Sequence, residues 1–186
     1  MNQVEITALL ERLDAALATP TVLHLYGSAA FILLGEPERT SLDIDVAGPY
    51  SIADMGELQR VAATLGLPVN PGAQDDRQHI EWVGPLRLCL PPPQPASDMV
   101  LWTGCRLTVK TSSATDLVAS KLIRYDESDR ADIQFIVRQC GVAWAAVQAA
   151  VRRLPPPFRD DALVLENLGN LQMDMLVWNG GRHDPA

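Results

Sequence analysis

The stretch LHLYGSAAFILLGEPERTSLDIDVAG, residues 23–48, decides how this chain folds. The first residues of this stretch belong to a short apolar run, TVLHLYG at residues 21–27, which predicts a buried strand. SAAFILLG then predicts a helix that ends at Gly35. After the polar turn EPERTS, the alternation in SLDIDVAG predicts a second strand. A strand, a helix and another strand in such close succession indicate a mixed α/β core.

Gly27 and Ser28 lie where the first predicted strand passes into the helix. Glycine permits a tight turn and a close approach of the backbone to a ligand. The N–H groups that open a helix favour an anion, and the Ser28 hydroxyl adds a donor to the same phosphate. An ordinary strand-to-helix turn uses the same residues, so the pair alone leaves both interpretations open.

Asp43 and Asp45 are two residues apart on the second predicted strand. Side chains alternate along a strand, so both carboxylates point to one face and Ile44 and Val46 to the other. Two like charges on one face repel each other and are costly to desolvate, and a divalent cation relieves both costs. Hard oxygen ligands suit Mg²⁺, which shares substrate phosphate oxygens. A solvated face of an edge strand is the alternative interpretation.

The order of the two motifs links them. One short helix and one turn separate Gly27-Ser28 from Asp43, so neighbouring strands would place a phosphate-binding turn beside two carboxylates. Chemistry that transfers part of a nucleoside triphosphate needs donors for the phosphates and carboxylates for the metal at the reacting phosphorus.

The same stretch resembles the Gly-Ser…Asp-x-Asp core of the nucleotidyltransferase superfamily, and more closely the AbiEii-type and related uncharacterised bacterial nucleotidyltransferases. The residues that carry the resemblance are Gly27, Ser28, Arg39, Thr40/Ser41, Asp43 and Asp45. It implies a small mixed β-sheet with flanking helices, and transfer of NMP from an NTP with Mg²⁺ or Mn²⁺. Asp43 and Asp45 would bind the metal, and Gly27, Ser28 and Arg39 the nucleotide.

Such families include toxins of bacterial toxin–antitoxin and phage-defence systems. The resemblance therefore implies an RNA acceptor such as tRNA, or a protein acceptor, and an antitoxin protein as a further partner. A small-molecule nucleotidyltransferase of the antibiotic-modifying type and a non-catalytic member that binds nucleotide or a partner are the alternatives.

A second stretch, ATDLVASKLIRYDESDRADIQFIV at residues 114–137, resembles the later motif of the same toxins. Carrying it over gives Lys121, Arg124, Arg130 and Asp132. Lys121 and Arg124 are three residues apart, share a predicted helix face, and would bind NTP phosphates. Asp132 would orient Lys121 or act as a base on the acceptor hydroxyl. A solvated cationic face with local ion pairs is the alternative.

Two features depart from the family pattern. Many nucleotidyltransferases use a third metal carboxylate on a later strand, and Glu81 in HIEWVG is the best candidate, ahead of Asp75 and Asp76 in a predicted loop. Arg130-Ala131-Asp132 also lacks the adjacent Arg-Asp pair common in relatives. The resemblance covers roughly residues 22–48 and 112–140.

Charge divides the chain in two. The net charge is −8, which disfavours a general nucleic-acid coat protein because such proteins need an excess of cations. Residues 1–100 hold 5 Lys/Arg and 13 Asp/Glu, whereas residues 101–186 hold 10 of each. Two thirds of the cationic residues therefore lie in the second half.

The pattern of elements divides the chain at nearly the same place. Residues 1–112 predict the α/β core, in which HIEWVG and LRLCLP read as two strands joined at Gly84-Pro85. Residues 113–186 predict a C-terminal helical bundle, so the expected fold class is α+β. Three scattered cysteines and the absence of an apolar run of ~20 residues predict a cytoplasmic protein without membrane contact.

Overall fold

The computed structural model describes residues 1–37, 39–72 and 77–180. The chain forms two compact units. The first contains Met1–Leu88 and Pro93–Ser113, and the second contains Cys89–Pro92 together with the chain from Ala114 onward. The expected division after residue 112 lies next to the last of these boundaries, but the assignment of 89–92 to the helical unit was not expected.

A five-stranded mixed sheet forms the centre of the first unit. Its strands are β1 (Thr21–Leu25), β2 (Asp43–Ala47), β3 (His79–Val83), β4 (Met99–Thr103) and β5 (Leu107–Thr111). The order across the sheet is β3-β2-β1-β5-β4. β1 runs antiparallel to β2 and parallel to β5, and β3 runs parallel to β2. The mixed α/β class predicted from residues 23–48 is confirmed.

One face of this sheet carries the hydrophobic core of the first unit. Leu25 and Val46 are register partners on that face, and both are fully buried. The helices that contribute to the same core are α1 (Gln3–Ala16), α2 (Gly27–Leu33) and α3 (Met55–Thr64). α1 and α3 begin where the sequence provides caps: Asn2 closes a capping box with Glu5, and Asp54 accepts from the Glu57 N–H.

The opposite face of the sheet is polar, and we call it the polar face. Because side chains alternate along a strand, the residues between the core positions point to it. Register pairs His24 with Lys110 and Asp45 with Glu81. The polar face therefore gathers the charged residues of the central strands on one surface.

The second unit is helical. It contains α4 (Ala114–Ser120), α5 (Glu127–Cys140), α6 (Trp144–Arg152) and α7 (Ala162–Gly180). α4 passes into a 3₁₀ turn at Lys121–Ile123 rather than continuing to Tyr125 as predicted. α5 ends at Gly141, which adopts the left-handed conformation (φ 64°) expected of a glycine C-cap. None of the helices in the described ranges has the length and apolar character needed to cross a bilayer.

The predicted strand LRLCLP is wrong. The chain turns at Gly84, whose carbonyl accepts from the Arg87 N–H, and residues 86–91 form no strand. Leu88, Cys89 and Leu90 are buried in succession, at 1%, 6% and 0% exposure, whereas a strand at a sheet edge would bury alternate residues. Cys89 and Leu90 belong to the helical unit, whereas Leu88 is the last residue of the preceding stretch of the first unit, a long-range arrangement that a local pattern does not reveal.

His24 is a buried titratable group on the polar face. Its side chain is 2% exposed, its Nε2 lies 2.8 Å from Ser112 Oγ, and its ring packs edge-on against Tyr50. Burial lowers the pKa of His24, the nearby Lys110 lowers it further, and Asp98 partly opposes the shift. The folded protein therefore holds this imidazole neutral.

We expect His24 to make stability fall as the pH drops. The unfolded chain binds a proton near pH 6.5 that the folded chain rejects, so stability is complete above that pH and declines below it, by at most about 1.4 kcal/mol per pH unit. Urea unfolding between pH 8 and pH 5 measures the slope. His24→Gln should flatten it, and parallel curves for the two proteins would contradict the prediction.

Candidate active site

Gly27 brings the turn after β1 directly against Asp45. Its φ is +64°, a conformation that glycine adopts without strain. A Cβ at this position would overlap Asp45 Oδ2 and lie 3.0 Å from Cγ and 3.3 Å from Cβ of the same side chain. The Tyr26 N–H also donates to the Asp45 carbonyl at 3.1 Å. The backbone of the turn and the carboxylate are therefore in van der Waals contact, as the sequence order predicted.

Ser28 lies in the first turn of α2 and is hydrogen bonded to another residue of the resemblance, Arg39. Arg39 Nη2 donates to Ser28 Oγ at 2.9 Å, so a hydroxyl and a guanidinium lie together at the start of the helix. Arg39 thus reaches this turn from eleven residues further along the chain. α2 is only seven residues long, so an anion at this turn would depend on the hydroxyl and the guanidinium more than on the helix dipole.

Asp43 is oriented by Ser41. The Ser41 hydroxyl donates to Asp43 Oδ1 at 2.9 Å, and Ser41 itself is 9% exposed. Asp43 and Asp45 are both half-buried on the polar face. The Ser/Thr before the Asp-x-Asp pattern therefore has a physical role, since it fixes the rotamer of the first aspartate.

Glu81 lies next to Asp45 across the β2–β3 pair, as a direct register partner. Its Oε1 forms an ion pair with Arg87 Nη1 at 3.0 Å. Among the described residues, no group of three His, Cys, Asp or Glu side chains is arranged to hold a metal ion. A role for Glu81 as a third metal ligand stays a prediction, and Asp75 and Asp76 lie outside the described residues.

The donor set on the polar face fits a hard divalent cation. Asp43 and Asp45 offer carboxylate oxygens from one face of one strand, and the Gly27 backbone closes one side of that surface. Mg²⁺ is commonly held by one or two carboxylates, keeps several waters, and completes its shell with substrate phosphates. Two half-buried carboxylates beside the Gly27 turn are a donor set of this kind, and the metal itself stays a prediction.

In the second unit, Lys121 is buried between two carboxylates. Its side chain is 7% exposed, and Nζ lies 2.8 Å from Asp129 Oδ1 and 2.6 Å from Asp132 Oδ2. Asp132 is fully buried and Asp129 is 2% exposed. The predicted pair of Lys121 and Asp132 is therefore in contact, but Lys121 does not lie on a solvated helix face.

Asp129 is the residue that sequence reasoning missed. It accepts from Lys121 and also from Arg124, whose Nε and Nη2 donate to its Oδ2 and Oδ1 at 2.8 and 2.9 Å. Burial alone would raise the pKa of Asp129, but hydrogen bonds from Arg124 and the charge of Lys121 outweigh it and lower the pKa. The spacing of Asp129 and Asp132, three apart on one helix, was the available signal.

Arg130, carried over with the second motif, forms a separate pair. Its Nε and Nη2 donate to the two oxygens of Asp174 at 2.8 and 3.0 Å, and the Tyr125 hydroxyl donates to the same carboxylate at 2.7 Å. The hydrogen bond to Asp174 raises the pKa of Arg130. This bidentate contact joins α5 to α7 within the helical unit.

The structure thus gathers the predicted residues into two groups, one in each unit. The first contains Gly27, Ser28, Arg39, Asp43 and Asp45, with Glu81 beside them. The second contains Lys121, Arg124 and Asp132, together with Asp129. Comparison of the chain with protein families, curated proteins and solved structures found no match. The resemblance to nucleotidyltransferases therefore remains a hypothesis.

We expect Gly27→Ala to damage both stability and function. The substitution strains a left-handed backbone and forces a methyl group into the Asp45 carboxylate, so the turn or the strand must shift. Gly35→Ala is the matched control, since Gly35 also has a positive φ (97°) but nothing lies within 4 Å of an added Cβ. Thermal unfolding and nucleotide binding should both be more affected by Gly27→Ala. Equal effects of the two variants would contradict the prediction.

Proposed function

We propose that this protein is a Mg²⁺-dependent nucleotidyltransferase that transfers an NMP from an NTP to an acceptor. One observation carries the proposal: the Gly27 turn packs directly against the carboxylate of Asp45, with Asp43 on the same strand face. A left-handed glycine turn packed against one carboxylate of a metal-type pair is the arrangement that a metal-bound phosphate ligand would need, because such a ligand contacts the turn and the carboxylates at once.

Each residue of the first group has a role in this proposal. Asp43 and Asp45 hold the metal, and Ser41 fixes the orientation of Asp43. Ser28 and Arg39, already hydrogen bonded to each other, bind the triphosphate. The Mg²⁺, or Mn²⁺, that Asp43 and Asp45 would hold would supply positive charge to offset that of the triphosphate and of the leaving pyrophosphate.

The reaction is a displacement at the α-phosphorus. An acceptor hydroxyl forms the new P–O bond, the bond to the bridging α–β oxygen breaks, and pyrophosphate leaves with its electron pair. The acceptor proton passes to a nearby base or to water. Preorganised charges around the triphosphate contribute most of the rate in such reactions.

The second group supports the proposal less directly. Lys121 is closed between Asp129 and Asp132, which favours a positioning role over direct phosphate contact. Arg124 has a side chain that is 62% exposed and is the more accessible cation of the two. The predicted catalytic roles of Lys121 and Asp132 and the predicted nucleotide contacts of Lys121 and Arg124 stay predictions.

A labelling experiment tests the activity and identifies the acceptor class. The purified chain is incubated with each α-labelled NTP, Mg²⁺, and in turn total RNA, total protein and a set of hydroxyl-bearing small molecules. Label that enters RNA or protein supports the toxin-type reaction, and label in a small molecule supports the antibiotic-modifying alternative. No transfer with any NTP or acceptor would contradict an enzymatic function and leave a nucleotide- or partner-binding role.

A growth experiment tests the toxin role separately. Expression of the wild-type chain should arrest growth, and Asp43→Ala should relieve the arrest at equal protein levels. A cognate antitoxin would be recognised because its co-expression restores growth. Equal growth with both chains would contradict the toxin role without affecting the proposed chemistry.

A further inference from the structure

Arg87 is a cation held beside the carboxylates of the candidate site. Its Nη1 forms an ion pair with Glu81 Oε1 at 3.0 Å, and Glu81 is the register partner of Asp45 on the neighbouring strand. Adjacent strands lie about 4.8 Å apart, and the side chains of register partners point to the same face of the sheet. The ion pair with Glu81 therefore keeps the Arg87 guanidinium close to Asp45, on the polar face.

A tight turn fixes the backbone of Arg87, while its side chain is exposed. The Arg87 N–H donates to the Gly84 carbonyl at 3.1 Å, and Pro85 restricts the backbone within this turn. The next residue, Leu88, is 1% exposed and anchors the chain, whereas the Arg87 side chain is 73% exposed. The guanidinium therefore extends from a fixed point and can contact a ligand without a rearrangement of the main chain.

The Arg87 guanidinium retains hydrogen-bond donors for a ligand. The ion pair with Glu81 engages Nη1, and the residues that the structure describes provide no acceptor for Nε or Nη2. A guanidinium presents its N–H donors in a planar fork that matches the oxygens of a phosphate. Because an exposed ion pair contributes little to stability, the fork could turn toward a phosphate at little cost to the fold.

The order of the strands places a cation on each side of the candidate metal ligands. β2, which carries the aspartate pair, lies between β1 and β3. The chain passes from β1 into the Gly27 turn, where Arg39 is hydrogen bonded to Ser28. On the other side of β2, β3 carries Glu81 and the Arg87 that pairs with it. A triphosphate that contacted the Gly27 turn and a metal on β2 would therefore have Arg87 on its opposite side.

We propose that Arg87 binds a phosphate oxygen of the triphosphate, and that Glu81 positions Arg87 rather than serving as a third metal ligand. The inference rests on the proposed function, since it assumes that a metal-bound triphosphate occupies the Asp43 and Asp45 site. Charge supports it, because Arg87 compensates one of the three carboxylates that β2 and β3 bring together. The two carboxylates that remain match the two positive charges of Mg²⁺.

Arg87→Ala tests the phosphate contact directly. Inorganic tripolyphosphate with Mg²⁺ is the probe for isothermal titration, because every NTP shares this phosphate chain. The loss of a charge-assisted hydrogen bond should raise the Kd of tripolyphosphate and the KM of the NTP about 10- to 100-fold, with kcat within about threefold of wild type. Arg87→Lys should give intermediate values, because lysine keeps the charge but lacks the fork. A wild-type Kd and KM for Arg87→Ala would overturn the proposal.

Glu81→Gln separates a positioning role from metal binding. The substitution keeps the size of the side chain and removes the charge that holds Arg87. If Glu81 positions Arg87, the KM of the NTP should rise about three- to tenfold, while the Mg²⁺ concentration that gives half the maximal rate stays the same. A higher Mg²⁺ requirement together with a large loss of kcat would identify Glu81 as a metal ligand and overturn the proposal.

The double variant Glu81→Gln, Arg87→Ala tests whether Glu81 acts through Arg87. Residues that act through one contact have effects that do not add, so the double variant should bind tripolyphosphate as Arg87→Ala does. Additive effects would overturn the positioning role of Glu81. Circular dichroism confirms that each variant is folded.

Arg60→Ala is the matched control in the same unit. Arg60 is paired with Glu57 at 4.0 Å and its side chain is 69% exposed, but it lies on α3, whose buried residues belong to the core on the other face of the sheet. Its Kd and KM should change by less than about twofold, and effects equal to those of Arg87→Ala would overturn the proposal. A wild-type chain that binds tripolyphosphate without transferring label would contradict only the proposed function, because the phosphate contact of Arg87 is measured without turnover.

Discussion

Asp45→Asn is expected to abolish nucleotide transfer and leave the fold intact. The substitution keeps the size of the side chain and the backbone hydrogen bond from Tyr26, but it removes the charge that faces the Gly27 turn. Because the proposed metal site has two carboxylates, the substitution removes half of the negative charge that the protein offers the metal. The activity should therefore fall by about 10³-fold or more. The rate of label transfer from an α-labelled NTP measures the loss.

Asp54→Asn is the control for this variant. Asp54 is the N-cap of α3, a role that asparagine fills equally well, so transfer and thermal unfolding should both match the wild type. Isothermal titration with Mg²⁺ and NTP adds a readout other than turnover, because Asp45→Asn should weaken metal-dependent NTP binding. If Asp45→Asn transferred NMP at the wild-type rate, the proposed site would be wrong.

Asp132→Ala is expected to destabilise the helical unit by about 3–5 kcal/mol. The substitution leaves the buried Lys121 ammonium with one fewer counter-charge, and its remaining partner, Asp129, is already shared with Arg124. The free-energy cost of burying a charge without a partner is far larger than the stabilisation that an exposed ion pair provides. Urea unfolding, followed by far-UV circular dichroism, measures the loss.

Asp160→Ala makes the same substitution in an exposed pair. Asp160 is bound to Arg159 at 2.8 Å, but its side chain is 70% exposed, so the variant should unfold at the same urea concentration as the wild type. A second variant, Asp132→Asn, separates charge from volume, since it keeps the shape and removes the charge. Equal effects of Asp132→Ala and Asp160→Ala on stability would contradict the burial of Lys121 between Asp129 and Asp132.

Local features of the first unit could be predicted because local physics determines them. The alternation of Asp43, Ile44, Asp45 and Val46 gives the two faces of β2, and the glycine before Ser28 gives the turn. Backbone conformation and strand period act within a few residues, so a single sequence contains the whole signal. The placement of the Asp43 and Asp45 carboxylates on one face of the sheet could therefore be predicted from the strand period alone.

The features that sequence reasoning missed depend on distant residues. Burial of Lys121 requires Asp129 and Asp132 from the next helix, and a pattern of spacing on α4 does not contain that information. The apolar residues of LRLCLP are as consistent with a strand as with the irregular segment that is observed. Only the assignment of residues 89–92 to the helical unit distinguishes the two. Tertiary packing overrides local preference at both places.

The path of the chain has a consequence for how the protein is made. Because residues 89–92 belong to the helical unit, the polypeptide passes between the two units three times, at Leu88/Cys89, Pro92/Pro93 and Ser113/Ala114. No single cut separates the units, and a fragment that ends at residue 113 would leave Leu90, now fully buried, without its partners. On the ribosome, this short apolar segment emerges before the helices of the unit to which it belongs.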